Sequence, residues 1–329
     1  MRAWDSQLAR CTVAITASIV IAACETSAPV ATRARGVRSD FTADPASEWS
    51  EPVNLGAPIN SPGADQSPAL SADGLSLYFA SDRPGGFGGV DVWVAHRVTS
   101  EGPWDTPVNL GTTINSADAE TGPSLSLDGH LLFFASNRAS GEGNFDIYVS
   151  HRADANDDLG WSEPVNVGAG VNSSTGEFGP WYSGDGADGP VLYFARGPNS
   201  NFTQIYSAPI SRDGQSRGSA ALIAEIASPN FTQGHPTLLA SGRQMVFYST
   251  RPGGLGGADL WTAIRRSPND AWSAPVNLGT PLNSPDADLL PTMSRDGRTL
   301  VFVSTRPGGI GGMDLWMSTR VNHGDAALP

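Results

Sequence analysis

The chain has 329 residues, with 38 glycines, 25 prolines, only 16% charged side chains and a formal net charge of −13 at pH 7. No apolar-periodic stretch is long enough for a sizeable helix, so this density of glycine and proline describes an all-β protein that turns often. An acidic surface with scattered arginines excludes a nucleic-acid track, whose phosphates need a basic stripe; it leaves cations and neutral or basic partners.

Arg2 and Arg10 flank a short polar start, and Cys11 to Ala23 is then apolar. Spanning a bilayer as a helix takes about 20 residues, so this stretch reads as the core of a signal peptide over residues 1–24. Its end, Ile21-Ala22-Ala23-Cys24, resembles the lipobox of bacterial lipoproteins. The resemblance implies that Cys24 is lipidated and becomes the mature N-terminus. With Glu25 next, it also implies an outer-membrane address in the bacterial envelope, facing periplasm or surface and touching the membrane through the lipid anchor alone. Cys11 and Cys24 are the chain's only cysteines, so the mature domain has no thiol for a disulfide, a metal or a nucleophile. Residues 25–48 are a flexible tether rich in small residues, proline and arginine.

From Trp49 onward the chain repeats at about 55 residues. Each copy runs W-S-x-P-V-N-L-G, then x-x-D/E-x-x-P-x-x-S-x-D-G, then a hydrophobic run into S-x-R-P-G-G-x-G-G, then x-D-x-W. In the first copy Ser67–Ser71 is a short strand and Ala72-Asp73-Gly74 a hairpin turn. Leu75–Ala80 is a buried strand, and Arg83–Gly89 is a loop whose glycines permit positive φ. Asp91–Ala95 alternates as a third strand, and Trp104–Leu110 makes an outer one, with Pro107 where an edge tolerates it. Four antiparallel strands per copy make a propeller blade.

The phase of the repeat predicts how the ring closes. The chain enters with an outer-type strand, Trp49–Leu55, and leaves after a third-type strand, Asp314–Ser318. The N-terminal strand therefore completes the last blade, giving a five-bladed β-propeller over residues 49–329 with no unpaired edge at the closure. The pattern S-x-D-G-x-x-L-x-F-x-S-x-R-P-G-G-x-G-G-x-D-L-W resembles the WD40-like repeats of TolB-type β-propellers, common in periplasmic lipoproteins, and the resemblance covers residues 49–320. It implies the fold and leaves the function open, because propellers host binding proteins, hydrolases and lyases alike.

Two repeated sets meet on one face of such a ring. The inner-strand entrances carry Asp65, Glu120, Glu177, Gln233 and Asp288, and the glycine loops carry Arg83, Arg138, Arg196, Arg251 and Arg306. Eight residues after each arginine stands Asp91, Asp146, Gln204, Asp259 or Asp314. Two readings stay open. In one, each arginine pairs with its own blade's acid, and Arg83, Asp91, Arg138, Asp146, Arg251, Asp259, Arg306 and Asp314 are structural staples. In the other, Asp65, Glu120, Glu177 and Asp288 converge on a channel mouth. There they would serve as catalytic carboxylates or hold Ca²⁺ with help from Asn60, Asn115, Asn172 and Asn283, since crowded acids must be paired, protonated or bound to a cation.

Copies three and four break the symmetry together. Trp181 and Tyr182 replace small residues, Asn199 and Asn201 enter the loop, and Gln233 replaces a ring acid with His235 beside it. With Glu177 and Arg196 they compose a candidate ligand wall for a carbohydrate or peptide. The glycine loops precede strands, so they are not phosphate cradles, and the histidines lack metal-ligand spacing. Two functions follow as expectations: a lipid-anchored platform for a protein or an oligosaccharide, or a glycoside hydrolase or polysaccharide lyase using two funnel carboxylates about 5–10 Å apart.

Overall fold

The computed structural model describes residues 49–184 and 189–320. The leader with Cys24 and the tether expected over 25–48 lie outside the described residues. The domain is a five-bladed β-propeller, each blade an antiparallel sheet of four strands. The first blade comprises β2 (Asp65–Leu70), β3 (Ser76–Ser81), β4 (Asp91–His96) and β5 (Val108–Asn109), and the second β6 (Glu120–Leu125), β7 (Leu131–Ser136), β8 (Asp146–His151) and β9 (Val165–Asn166). The third is β10 (Gly176–Ser183), β11 (Val191–Asn199), β12 (Phe202–Pro209) and β13 (Ala221–Leu222). The fourth is β14 (Gln233–Leu238), β15 (Gln244–Ser249), β16 (Asp259–Ile264) and β17 (Val276–Asn277). The fifth is β18 (Asp288–Met293), β19 (Thr299–Ser304), β20 (Asp314–Thr319) and, from the other end of the chain, β1 (Val53–Asn54). Among the described residues the one helix is the single turn Gly111–Ile114, and none is long and apolar enough to cross a membrane.

The continuous apolar runs of the second strands have a direct cause. Each sheet is sandwiched between two others, so both of its faces are buried. Leu77 and Phe79 of β3 enter the seam with blade five, and Tyr78 between them enters the seam with blade two. All three are fully buried. The hydrophobic core is thus five seams rather than one centre, each drawn from two adjacent blades.

Closure runs as the repeat phase predicts. Val53 pairs with Met317 and Asn54 with Trp316, and Trp49 bridges to Arg320. The outer strands are shorter than expected: β5 is two residues where Trp104–Leu110 was anticipated. Proline before each V-N pair removes a ladder donor, so the tryptophan ends are fastened otherwise. Arg97 stacks on Trp104 at 4.2 Å, Arg152 on Trp161 at 4.4 Å, Arg265 on Trp272 at 4.2 Å and Arg320 on Trp49 at 4.6 Å. Each of these arginines also donates Nε–H to the turn-glycine carbonyl of its own blade, at Gly74, Gly129, Gly242 or Gly297. Blade three has Ile210 in that place and lacks the stack.

Buried asparagines add one more link at four of the five seams by imitating a backbone amide. Asn60 donates Nδ2–H to Leu315 O at 3.0 Å and accepts Leu315 N–H on Oδ1 at 2.8 Å, tying the first connection to the last blade. Asn115, Asn172 and Asn283 do the same to Val92, Ile147 and Leu260. Asn60→Ala leaves the buried Leu315 N–H unpaired at the closure, while Leu315 O keeps Leu55 N–H at 3.0 Å, and a loss of about 2 kcal/mol is expected. A urea titration at unchanged slope measures it.

Candidate functional site

Each innermost strand carries a ring residue at its first position, or in β10 its second, and bulges two residues later, just before a proline. The bulge residues Ser67, Gly122, Gly179, His235 and Leu290 have φ of 52°, 61°, 52°, 50° and 48°. For serine, histidine and leucine this left-handed region is unfavourable, so neighbouring blades must hold it in place. They do so at close range: a Cβ on Gly122 would stand 3.0 Å from Gly179, and one on Gly179 would stand 2.7 Å from His235.

The ring carboxylates turn into their own blades. Asp65 takes Ser81 Oγ–H at 2.6 Å and Arg83 Nη2–H at 2.6 Å, and its second oxygen accepts Ser61 N–H at 2.6 Å. Glu120 pairs with Arg138 at 3.2 Å and Asp288 with Arg306 at 2.6 Å, each with the equivalent serine contacts. In blade three Arg196 occupies the register position held by Ser81 in blade one, so its Nε, rather than a terminal nitrogen, meets Glu177 at 2.8 Å. All four acids have 0% exposure, and their arginines retain 10–19%. Among the described residues no group of three His, Asp, Glu or Cys side chains could hold a metal. The carbonyls of Asn60, Asn115, Asn172 and Asn283, expected to assist a cation, accept backbone N–H groups instead.

The aspartates after the arginines organise the glycine loops. Asp91 accepts N–H from Phe87 at 2.5 Å and Gly88 at 3.0 Å, and Asn109 Nδ2–H at 2.8 Å. Asp146 and Asp314 repeat all three contacts, and Asp259 takes Leu255 and Gly256. The loops then lie directly on the next blade's connection, where only glycine fits: a Cβ on Gly88 would be 1.9 Å from Asp118 O.

The residues expected to form a wall between copies three and four fall into separate groups. Trp181 packs into the seam around Tyr193, Ile205 and Trp272, and Tyr182 stacks on Phe133 of blade two at 5.9 Å. Neither stands with Asn199 and Asn201, which lie exposed at the β11–β12 turn on the loop face. Gln204 and Gln233 meet one another: Gln233 donates to Gln204 Oε1 at 3.0 Å, and Gln204 Nε2 serves Ser228 O and Phe231 O. The amide pair replaces a carboxylate at both positions and closes the seam between blades three and four. Arg251 keeps its Ser249 Oγ contact at 3.1 Å and its Ile226 O contact at 2.8 Å, and among the described residues no carboxylate lies within ion-pair distance of it.

Two titrations stand out. Burial pushes Glu177 above the ordinary glutamate range, opposed by Ser173 and Arg196. Burial also lowers His235 from 6.5 to about 4. A histidine held neutral in the fold while the unfolded chain protonates contributes stability that is intact above pH 6.5 and lost as pH falls toward about 4. The loss amounts to about 3 kcal/mol by linkage. His235→Asn is expected to flatten this part of the urea-midpoint profile between pH 7 and pH 4, relative to the parent chain.

The closed ring of four-stranded sheets defines the class, a five-bladed β-propeller. No protein-family model matches the chain, and no curated protein aligns with it. Among solved structures, the chain is similar to an α-L-arabinofuranosidase from Lactobacillus brevis, at 13% identity over 82% of this chain and 93% of that one, with a TM-score of 0.57. It is similar to the arabinanase Arb43A of Bacillus subtilis at 15% identity, over 82% and 97% of the two chains, with a TM-score of 0.56. TolB from Acinetobacter baumannii aligns at 18% identity over 80% and 55%, with a TM-score of 0.47. At these identities the likeness establishes the fold alone. The five-bladed propeller that the repeat predicts is thus the fold the chain shares with these structures.

Proposed function

We propose that this propeller is a binding platform, which presents its loop face to a protein or oligosaccharide and is held at the bacterial envelope by a lipid on Cys24. The observation that carries this reading is the state of the ring acids: all four are fully buried and paired with an arginine of their own blade. A general acid or nucleophile must reach a substrate oxygen or carbon, and these carboxylates reach serine, arginine and backbone instead. The loop face favours contact with a partner, since Phe87, Leu255 and Ile310 of three glycine loops and Phe202 at the start of β12 are 45–52% exposed. A triple change of Phe87, Leu255 and Ile310 to serine is expected to leave the melting temperature within a few degrees and to abolish ligand binding in a calorimetric screen. Unchanged binding would place the contact elsewhere and sink the loop-face assignment.

The second reading is a carbohydrate-active enzyme, and the fold comparisons sit closer to it than to the platform. Glu177 is its best residue. Burial raises its proton affinity, as a general acid requires, and its arginine contact differs from those of Asp65, Glu120 and Asp288.

A further inference from the structure

Arg251 differs from its four counterparts in having lost its anion. Arg83, Arg138, Arg196 and Arg306 each meet a ring carboxylate at 2.6–3.2 Å. In blade four the ring residue is Gln233, drawn away to Gln204, and its Oε1 is buried with no hydrogen-bond partner. Gln233 stands directly across from Ser249, two residues before Arg251. One part-exposed cation is therefore left without an anion on a seam where the other blades have a closed pair.

The guanidinium is nonetheless held. It lies over Phe247 at 5.4 Å and Trp261 at 5.3 Å, with Nε and one terminal nitrogen fixed by Ser249 and Ile226. It is part-exposed, and a chain of polar contacts runs from its neighbour Thr250 to the β11–β12 turn. Thr250 Oγ1 accepts Thr232 N–H at 3.0 Å, and Thr232 Oγ1–H donates to Asn201 O. Beyond them lie the exposed Asn199 and Asn201 side chains, beside Phe202 with 45% of its surface exposed.

We propose that Arg251, with its neighbour Thr250 and the Asn199–Asn201 turn adjoining Thr250 through Thr232, binds the carboxylate of an acidic sugar at the seam of blades three and four. A fixed guanidinium matches a carboxylate with two parallel hydrogen bonds. The asparagine amides of the adjoining turn both donate and accept, and Phe202 offers an apolar face to the ring. The inference rests on the binding reading above and names the ligand chemistry it would serve.

Gln233→Glu is the decisive variant, because it restores the acid that the other blades possess and occupies Arg251 from within. Calorimetry on the full chain with galacturonate and glucuronate is expected to show saturable binding by the parent. Gln233→Glu and Arg251→Gln should each weaken it by about tenfold or more, the scale of a lost charged hydrogen bond. Galactose and acetate separate the sources of affinity: both should bind at least about tenfold more weakly than the uronates. The melting temperature of each variant is measured alongside, and only variants folded at the calorimetric temperature are compared, which guards against a folding artefact. Failure of the parent to bind uronates, undiminished binding by either variant, or acetate binding as tightly as a uronate overturns the proposal. Neutral oligosaccharides bound in its place would leave the platform reading intact while removing this site.

Discussion

Asp288→Asn is expected to destabilise the fold by about 3–5 kcal/mol, the usual result of breaking a buried ion pair from one side. Asp288 has 0% exposure and receives Arg306 at 2.6 Å, Ser304 Oγ–H at 2.6 Å and Ser284 N–H at 2.6 Å. An amide of the same shape keeps one acceptor and turns its NH₂ toward a donor, leaving the guanidinium without its anion in a site that retains 13% of its surface. The loss should be similar for Asp65→Asn and Glu120→Gln, because the same contacts recur in their blades. Melting temperatures and urea midpoints of the three variants test this directly. A variant matching the parent would mean that its acid is not a staple. Gln233 shows how the ring tolerates an amide: Gln204 has changed with it, and its Oε1 accepts the Gln233 NH₂.

Gly88→Ala is expected to cost about 3 kcal/mol or more, with Gly89→Ala beside it nearly neutral. A Cβ on Gly88 would stand 1.9 Å from Asp118 O and 2.7 Å from Ser116 O, backbone atoms of the next blade. That connection cannot retreat, because Glu120 N–H donates to Val90 O at 2.8 Å and Gly89 N–H to Asp118 O at 3.0 Å. Gly89 has nothing within 4 Å of its own ideal Cβ. The same contrast recurs between Gly256 and Gly257 and between Gly311 and Gly312, where the first glycine of each pair meets backbone at 1.9 and 2.2 Å. Thermal melts of the paired alanine variants decide it. Equal losses at both members would show that loop entropy, not the close approach, explains the glycines.

The architecture was legible because it is written in phase: the recurring W-S-x-P-V-N-L-G and S-x-R segments predict the blades, and the offset between first and last strands predicts the closure that Val53–Met317 pairing shows. The Arg97–Trp104 class of stack went unread, although those arginines recur with the same period. Nothing local in the sequence says that a residue after the third strand reaches the start of the fourth. Trp181 and Tyr182 stood out as a ligand wall because they break a pattern of small residues. Side-chain volume alone does not show which way a strand residue points, and these two enter the inter-blade packing. Gln204 and Gln233 were visible as separate departures. Their meaning depends on a 3.0 Å contact between residues 29 apart in sequence, which no motif announces.

On the function proposed above, the ring acids hold the propeller together and do not turn over a substrate. The most direct measurement is hydrolysis of α-L-arabinofuranosides and arabino-oligosaccharides by the parent chain and by Glu177→Gln, with the melting temperature of each recorded alongside. The account predicts no turnover by either chain. Turnover by the parent that falls by about 100-fold or more in a fully folded Glu177→Gln would contradict it and establish Glu177 as an acid–base catalyst.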